Sequence, residues 1–264
     1  TSSFARREQR WSDSDGATNH CIVYRPNIHS GGVVFMFHGG PHGVWDAREP
    51  TRLGGVLLNA GLTVVEANLA GSVGFGDEAM LRLDGHYVLE KLAPCVAALA
   101  ARVLRPRERL ALYGESFGAY LAMFAALALG SDRIASCVGL NGFYDLDFDQ
   151  HISDAGTRAA TAAILGSIGQ DPEPWTRRLS VTRRLGPGAP PLLLGAAARD
   201  MHVRPENSRV FARAARRHGA SCTLVELPSS DHRIFDPDDE VAWFDAVRAH
   251  VVAATMAPGR ALTR

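Results

Sequence analysis

The chain has 264 residues, 46% hydrophobic and 21% charged, with 28 basic and 28 acidic side chains in balance. A chain of this size and composition can bury one sizeable core. With no basic excess to neutralise phosphates, nucleic acid is not an expected partner. No apolar run approaches a membrane span, so no membrane partner is expected either. The polar opening TSSFARREQRWSDSDG lacks the apolar segment of a signal peptide, and a cytoplasmic protein is expected. The first residue is Thr rather than Met, which suggests a chain that was processed or cut from something longer.

In chain order, CIVYR (21–25) and VVFMF (33–37) read as strands, followed by a helical pattern over 48–60. LTVVEA (62–67) is the next strand and 87–104 the next helix, with Pro94 expected to kink it or mark its true start. RLALY (109–113) leads into a helix over 117–129, and ASCVGL (135–140) follows. PLLLGA (191–196), a helix over 205–218, CTLVEL (222–227) and a helix over 237–255 complete the pattern. Pro205 and Pro237 suit a first helical turn, where a missing N–H does no harm. This alternation predicts an α/β protein with a mostly parallel sheet covered on both faces, built as one domain over 1–264. Residues 146–188 break the alternation and are expected to form a lid-like insertion over the C-terminal sheet edge, where open α/β sheets bind ligands.

Cys21, Cys95, Cys137 and Cys222 form no CxxC pair and are expected to be free, mostly buried thiols. No metal or organic cofactor is expected.

Chemistry concentrates at Gly114-Glu115-Ser116-Phe117-Gly118, a G-x-S-x-G run between a strand and a helix. A serine on so sharp a turn has its hydroxyl exposed at the sheet edge, and flanking glycines remove side chains that would strike the neighbouring backbone. The Phe117 N–H then opens a helix towards a developing oxyanion. Serine needs a base and an orienting carboxylate, which in such folds follow in the order Ser, Asp, His. Asp200 lies just beyond the strand at 191–196 and His232 just beyond the strand at 222–227. Asp145 is the competing acid, with a helix cap as its alternative role; Asp231 reads as a loop residue. His202 and His218 read as a loop and a solvated helix face, and His250 as a cation near a helix C-terminus. VVFMFHGGPHG (33–43) ends a strand in two glycines, and the Gly40 N–H is the second oxyanion donor expected. His38, His42 and Trp45 in the same loop are expected to contact substrate.

The segments HGGPHG, NLAGSVGFG, GESFGAY, ARDMHVRPENS and SSDHRIF occur in the order and spacing of the catalytic domain of the prolyl oligopeptidase family, which the chain resembles over roughly 15–250. The closest look is to its acylaminoacyl-peptidase-like branch. The resemblance implies an α/β-hydrolase fold, serine peptidase activity, a triad of Ser116, Asp200 and His232, and oxyanion donors at Phe117 and Gly40. Where the family usually has Arg after N-x, this chain has Ala70, and Ala119 stands where the nucleophile motif usually has a second Gly. Family members carry a β-propeller before the hydrolase domain, and this chain begins almost at that domain, so the propeller was either removed or never encoded; in the second case selectivity is expected to come from 146–188.

The leading expectation is therefore hydrolysis of small peptides or acylated amino acids. An esterase, thioesterase or acyltransferase acting on a specialised small molecule shares the same triad. A non-catalytic binding module would be expected to have lost a triad member. Arg199, Arg204 and Arg233 beside the triad suit a carboxylate or a blocked N-terminus, and no pair of glutamates for a free amine adjoins the motifs.

Overall fold

A computed structural model of the chain describes residues 4–12, 16–46, 48–166 and 173–256. Eight strands form one sheet: β1 (Phe4–Ser12), β2 (Thr18–Pro26), β3 (Gly32–Phe37), β4 (Thr63–Asn68), β5 (Arg109–Glu115), β6 (Ile134–Leu140), β7 (Leu192–Ala197) and β8 (Cys222–Leu227). Their order is β1-β2-β4-β3-β5-β6-β7-β8. β2 is antiparallel to both β1 and β4, and every other pairing is parallel. The six residues of β3, the six of β4 and the seven of β6 are all buried, as expected of strands covered on both faces.

Two apolar layers cover the sheet. α3 (Leu92–Val103), α4 (Phe117–Leu129) and α8 (Glu206–Arg217) pack on one face through residues such as Leu99, Phe124 and Phe211. α1 (Arg52–Asn59) and α9 (Pro237–Met256) pack on the other through Leu57, Trp243 and Val247. α2 (Asp77–Leu81) is a short surface turn between β4 and α3.

Several boundaries differ from those expected. The helix read over 48–60 begins only at Arg52, because Pro50 disfavours helical backbone at the residue before it; Thr51 caps it, its hydroxyl accepting from Gly54 N at 3.1 Å. The helix read over 87–104 opens as a wide turn over Tyr87–Lys91 that tightens into α3 two residues before Pro94, which lacks the N–H a regular ladder would need there. β1 has no counterpart among the expected strands. Its sequence FARREQRWS is charged, and it is an edge strand held by pairing to β2 rather than by apolar alternation.

Within 146–188 lie α5 (Leu146–Ile152), α6 (Ala155–Leu165), α7 (Trp175–Leu179) and a 3-10 turn (Val181–Arg184); residues 167–172 of this segment lie outside the described residues. Asp145 caps α5 and Asp154 caps α6. Tyr120 of α4 stacks on Phe143 at 5.1 Å and donates its hydroxyl to Leu179 O at 3.1 Å. Arg184 lies 4.0 Å above the Phe124 ring, a contact of about 1 kcal/mol. The Tyr120–Leu179 bond and the Arg184–Phe124 contact fasten the segment to α4, the helix that the Ser116 turn opens.

Candidate active site

β5 ends at Glu115, and α4 starts at Phe117. Ser116 between them has φ 54° and ψ −121°, a conformation non-glycine residues rarely adopt. Packing imposes it. A side chain on Gly114 would collide with the Gly118 carbonyl, and one on Gly118 would collide with the carbonyls of Phe37 and His38. The turn is pinned by Ser116 N donating to Leu140 O at 2.8 Å.

Asp200 and His232 arrive from the ends of β7 and β8. His232 Nδ1 lies 2.7 Å from Asp200 Oδ2, and its Nε2 lies 3.0 Å from Ser116 Oγ. The buried carboxylate requires the proton on Nδ1, so Nε2 is free to accept the Ser116 hydroxyl proton. Asp200 Oδ1 accepts from the N–H groups of His202 and Val203, each at 2.9 Å. These bonds fix which oxygen meets the imidazole. The structure thus brings together the three residues the motifs singled out.

The competing residues have other work. Asp145 Oδ1 accepts from Phe148 N at 3.1 Å and its Oδ2 from Thr182 Oγ1 at 2.9 Å, a helix cap tied to the 3-10 turn. Asp231 Oδ1 accepts from Arg233 N at 3.0 Å. His218 sits exposed at the end of α8. His202 packs edge-on to His232 at 5.4 Å. The expectation for His250 is corrected: it lies more than a turn before the end of α9, and burial pushes its imidazole below the usual range, favouring the neutral form.

The 38–45 loop follows β3. Gly40 has φ 137° and, with Phe117, lines the cavity above Ser116. Phe117 is the first residue of α4, so its N–H has no acceptor within the helix. His38, His42 and Trp45 are placed away from this cavity. His38 Nδ1 donates to Gly39 O at 2.9 Å and its Nε2 accepts from Ser72 Oγ at 2.8 Å, while burial lowers its pKa and keeps it neutral. His42 Nδ1 donates to Gly71 O at 3.0 Å, and Trp45 Nε1 to Met36 O at 3.2 Å. All three are engaged in holding the loop shape, so substrate contact by their side chains has no geometric support.

Two residues that brace these loops were given no role in the motifs, although Asn68 opens the NLAGSVGFG segment. Asn68 Oδ1 accepts from Trp45 N at 2.7 Å, and its Nδ2 donates to Trp45 O at 2.7 Å, which clamps the Gly40 loop. Asn141 follows β6 with φ 48°; its Nδ2 donates to His232 O at 3.1 Å and its Oδ1 accepts from Ala197 N at 2.9 Å. It therefore joins the strand beside Ser116 to both loops carrying its partners. The only sequence signal was an Asn at a strand end, a residue tolerant of positive φ.

The cavity has a volume of about 550 Å³. Phe117, Phe143, Ile164 and Val203 give it an apolar wall, α6 contributes Thr157 and Thr161, and Arg199 and Arg233 border it. Glu115, beside Ser116, accepts from Tyr113 Oη at 2.7 Å, and burial raises its pKa. Cys21, Cys95 and Cys137 are buried and Cys222 partly so; all four are free, and burial raises the Cys21 thiol to about 12, far from a reactive thiolate. Among the described residues, no group of three or more His, Cys, Asp or Glu could hold a metal ion, and no helix is long and apolar enough to cross a membrane.

The model of the prolyl oligopeptidase family matches residues 54–256. The chain is 25% identical over 224 residues to acylamino-acid-releasing enzyme 2 of Oryza sativa subsp. japonica, covering 80% of this chain and 29% of that protein. It is 26% identical over 248 residues to dipeptidyl aminopeptidase BIII of Pseudoxanthomonas mexicana, covering 87% of this chain and 34% of the other. The chain thus spans about a third of the length of the curated relatives it matches. Among solved structures, Pyrococcus horikoshii acylaminoacyl peptidase superposes with a TM-score of 0.83 at 18% identity, over 99% of this chain and 43% of that one. A Mycobacterium tuberculosis puromycin-hydrolyzing peptidase superposes with a TM-score of 0.81 at 21% identity, over 96% of this chain and 39% of that one. The fold is the α/β-hydrolase fold, with its eight-stranded, mostly parallel sheet.

Proposed function

The chain belongs to the prolyl oligopeptidase family, and from that premise we propose that it is a serine peptidase working through an acyl-enzyme on small peptides or acylated amino acids. Ser116, His232 and Asp200 act as its triad. Ser116 Oγ attacks the scissile carbonyl carbon while His232 Nε2 takes the hydroxyl proton. The oxyanion that forms is held by the Phe117 and Gly40 N–H groups. Collapse breaks the C–N bond, and the imidazolium returns the proton to the departing amine. Water, deprotonated by the same imidazole, then frees the acyl group and restores the serine. Asp200 keeps the proton on Nδ1 and stabilises the imidazolium.

The observation that carries this reading is the unbroken relay from Asp200 Oδ2 through His232 to Ser116 Oγ, at 2.7 and 3.0 Å, on a turn strained at the nucleophile. The reading includes one catalytic domain, with 146–188 shaping the cavity through α6. It also includes a cytoplasmic setting, which four free thiols suit. The apolar wall favours an apolar side chain on the acyl side. Asp231 is the one carboxylate among the described residues that borders the cavity, and its Oδ1 is engaged by Arg233 N, so N-acylated substrates should be cleaved better than free-amine ones.

A fluorophosphonate probe should label the protein once, at Ser116, and Ser116→Ala should abolish both labelling and turnover. An N-acetyl-aminoacyl anilide should then exceed the matching free-amine anilide in kcat/KM. Labelling elsewhere would overturn the triad, and preference for the free amine would overturn the substrate assignment.

A further inference from the structure

We infer that Arg199 and Arg233 form a carboxylate-binding site on the leaving-group side of the cavity, so that preferred substrates release an amino acid bearing a free carboxylate. The inference rests on the acyl-transfer reading above and names its leaving group.

Both arginines border the cavity that holds Ser116 and His232. Arg199 immediately precedes Asp200, and Arg233 immediately follows His232. The two loops are joined in two places. Arg199 N donates to Ser230 O at 3.1 Å, and His232 Nδ1 meets Asp200 Oδ2 at 2.7 Å. The two cationic side chains therefore start from neighbouring backbone on one side of the nucleophile.

Chemistry identifies that side. His232 must hand its proton to the departing atom, so the leaving group lies beside His232, while the acyl group lies towards the Phe117 N–H and Phe143. In an amino-acid leaving group the carboxylate is two bonds from the departing nitrogen, close enough for a long guanidinium side chain rooted next to His232 to meet it. Guanidinium matches carboxylate in planarity and can bind both oxygens at once.

Within the described residues neither cation is already neutralised. Among the described residues, Arg199 and Arg233 take part in no ion pair, whereas Arg25 pairs with Glu108 at 2.7 Å and Arg209 with Glu226 at 2.8 Å. Among the described residues Asp231 is the only acid bordering the cavity, and its Oδ1 accepts from the Arg233 N–H at 3.0 Å. Two exposed guanidiniums against one carboxylate leave the rim of the cavity cationic.

The test compares N-acetyl-Phe-Gly as the free acid with its C-terminal carboxamide, which differ only in the charge on the leaving group. The acid should be cleaved with a kcat/KM about tenfold above the amide, as two partly exposed charge contacts would give. The ratio should shrink towards one in about 1 M salt and in the Arg199→Gln/Arg233→Gln double variant. Equal rates for acid and amide in the unaltered protein would overturn the inference alone, as would a ratio the double variant leaves unchanged. Cleavage of neither peptide by protein that still labels at Ser116 would overturn the amide-substrate reading and this inference with it.

Discussion

Replacing Asp200 with Asn isolates what the carboxylate contributes. Its Oδ1 accepts two backbone N–H groups, from His202 and Val203, so the asparagine oxygen must occupy that place. The flipped orientation would set an amide donor against two donors. The new Nδ2 therefore faces His232 Nδ1 and donates to it. The imidazole proton must then move to Nε2, which donates to Ser116 Oγ instead of accepting from it. The nucleophile has lost its base without any change in shape. Loss of a general base through the wrong tautomer corresponds to about 10⁴ in kcat, or about 5.5 kcal/mol of barrier. Stability should change by only about 1–2 kcal/mol, because the hydrogen bonds are exchanged rather than deleted. Steady-state hydrolysis of a p-nitrophenyl ester, the rate of fluorophosphonate labelling and a thermal melt together read all three quantities. Asp145→Asn, which keeps a capping oxygen, should leave turnover near that of the unaltered protein. If Asp200→Asn keeps more than about a tenth of kcat while Asp145→Asn collapses it, the acid belongs to the earlier strand and the reasoning fails.

Asn141→Ala should strand the buried Ala197 N–H and release the His232 carbonyl, while forcing alanine into positive φ. Together these should cost about 3 kcal/mol or more in urea unfolding. In folded protein the variant should lower kcat with little change in KM, since Asn141 positions His232 and touches no substrate; an unchanged kcat would remove that role. The pH dependence follows from Asp149, buried at 1% exposure, whose carboxyl is pushed above its usual range by burial. A raised folded pKa means the folded state holds its proton longer than the unfolded chain. This group therefore lowers stability as pH rises from the ordinary carboxylate value through the raised one. Asp149→Asn should flatten that fall and gain most near neutral pH. Urea unfolding at pH 4 and pH 7 that gave the variant the same increment at both would refute the assignment.

The sequence by itself determined the sheet and the strained turn at Ser116, because both are written locally. A parallel strand covered on both faces needs a continuous apolar run such as VVFMF, and a nucleophile turn needs glycines within two residues of Ser116. Asp200 and His232 were legible through chain order alone, each just beyond an apolar strand. Tertiary structure decided what lies between distant segments. β1 is a strand only because β2 offers its edge, and Asp145 caps a helix only because α5 begins there and Thr182 reaches back to it. His38, His42 and Trp45 shared a loop with Gly40 and so looked like substrate ligands, but their hydrogen bonds turn inward to Ser72, Gly71 and Met36. Asn141 stands 91 residues from the His232 carbonyl it holds. Polar side chains take whatever partners folding brings within about 3 Å, and no local pattern of residues records a partner that distant.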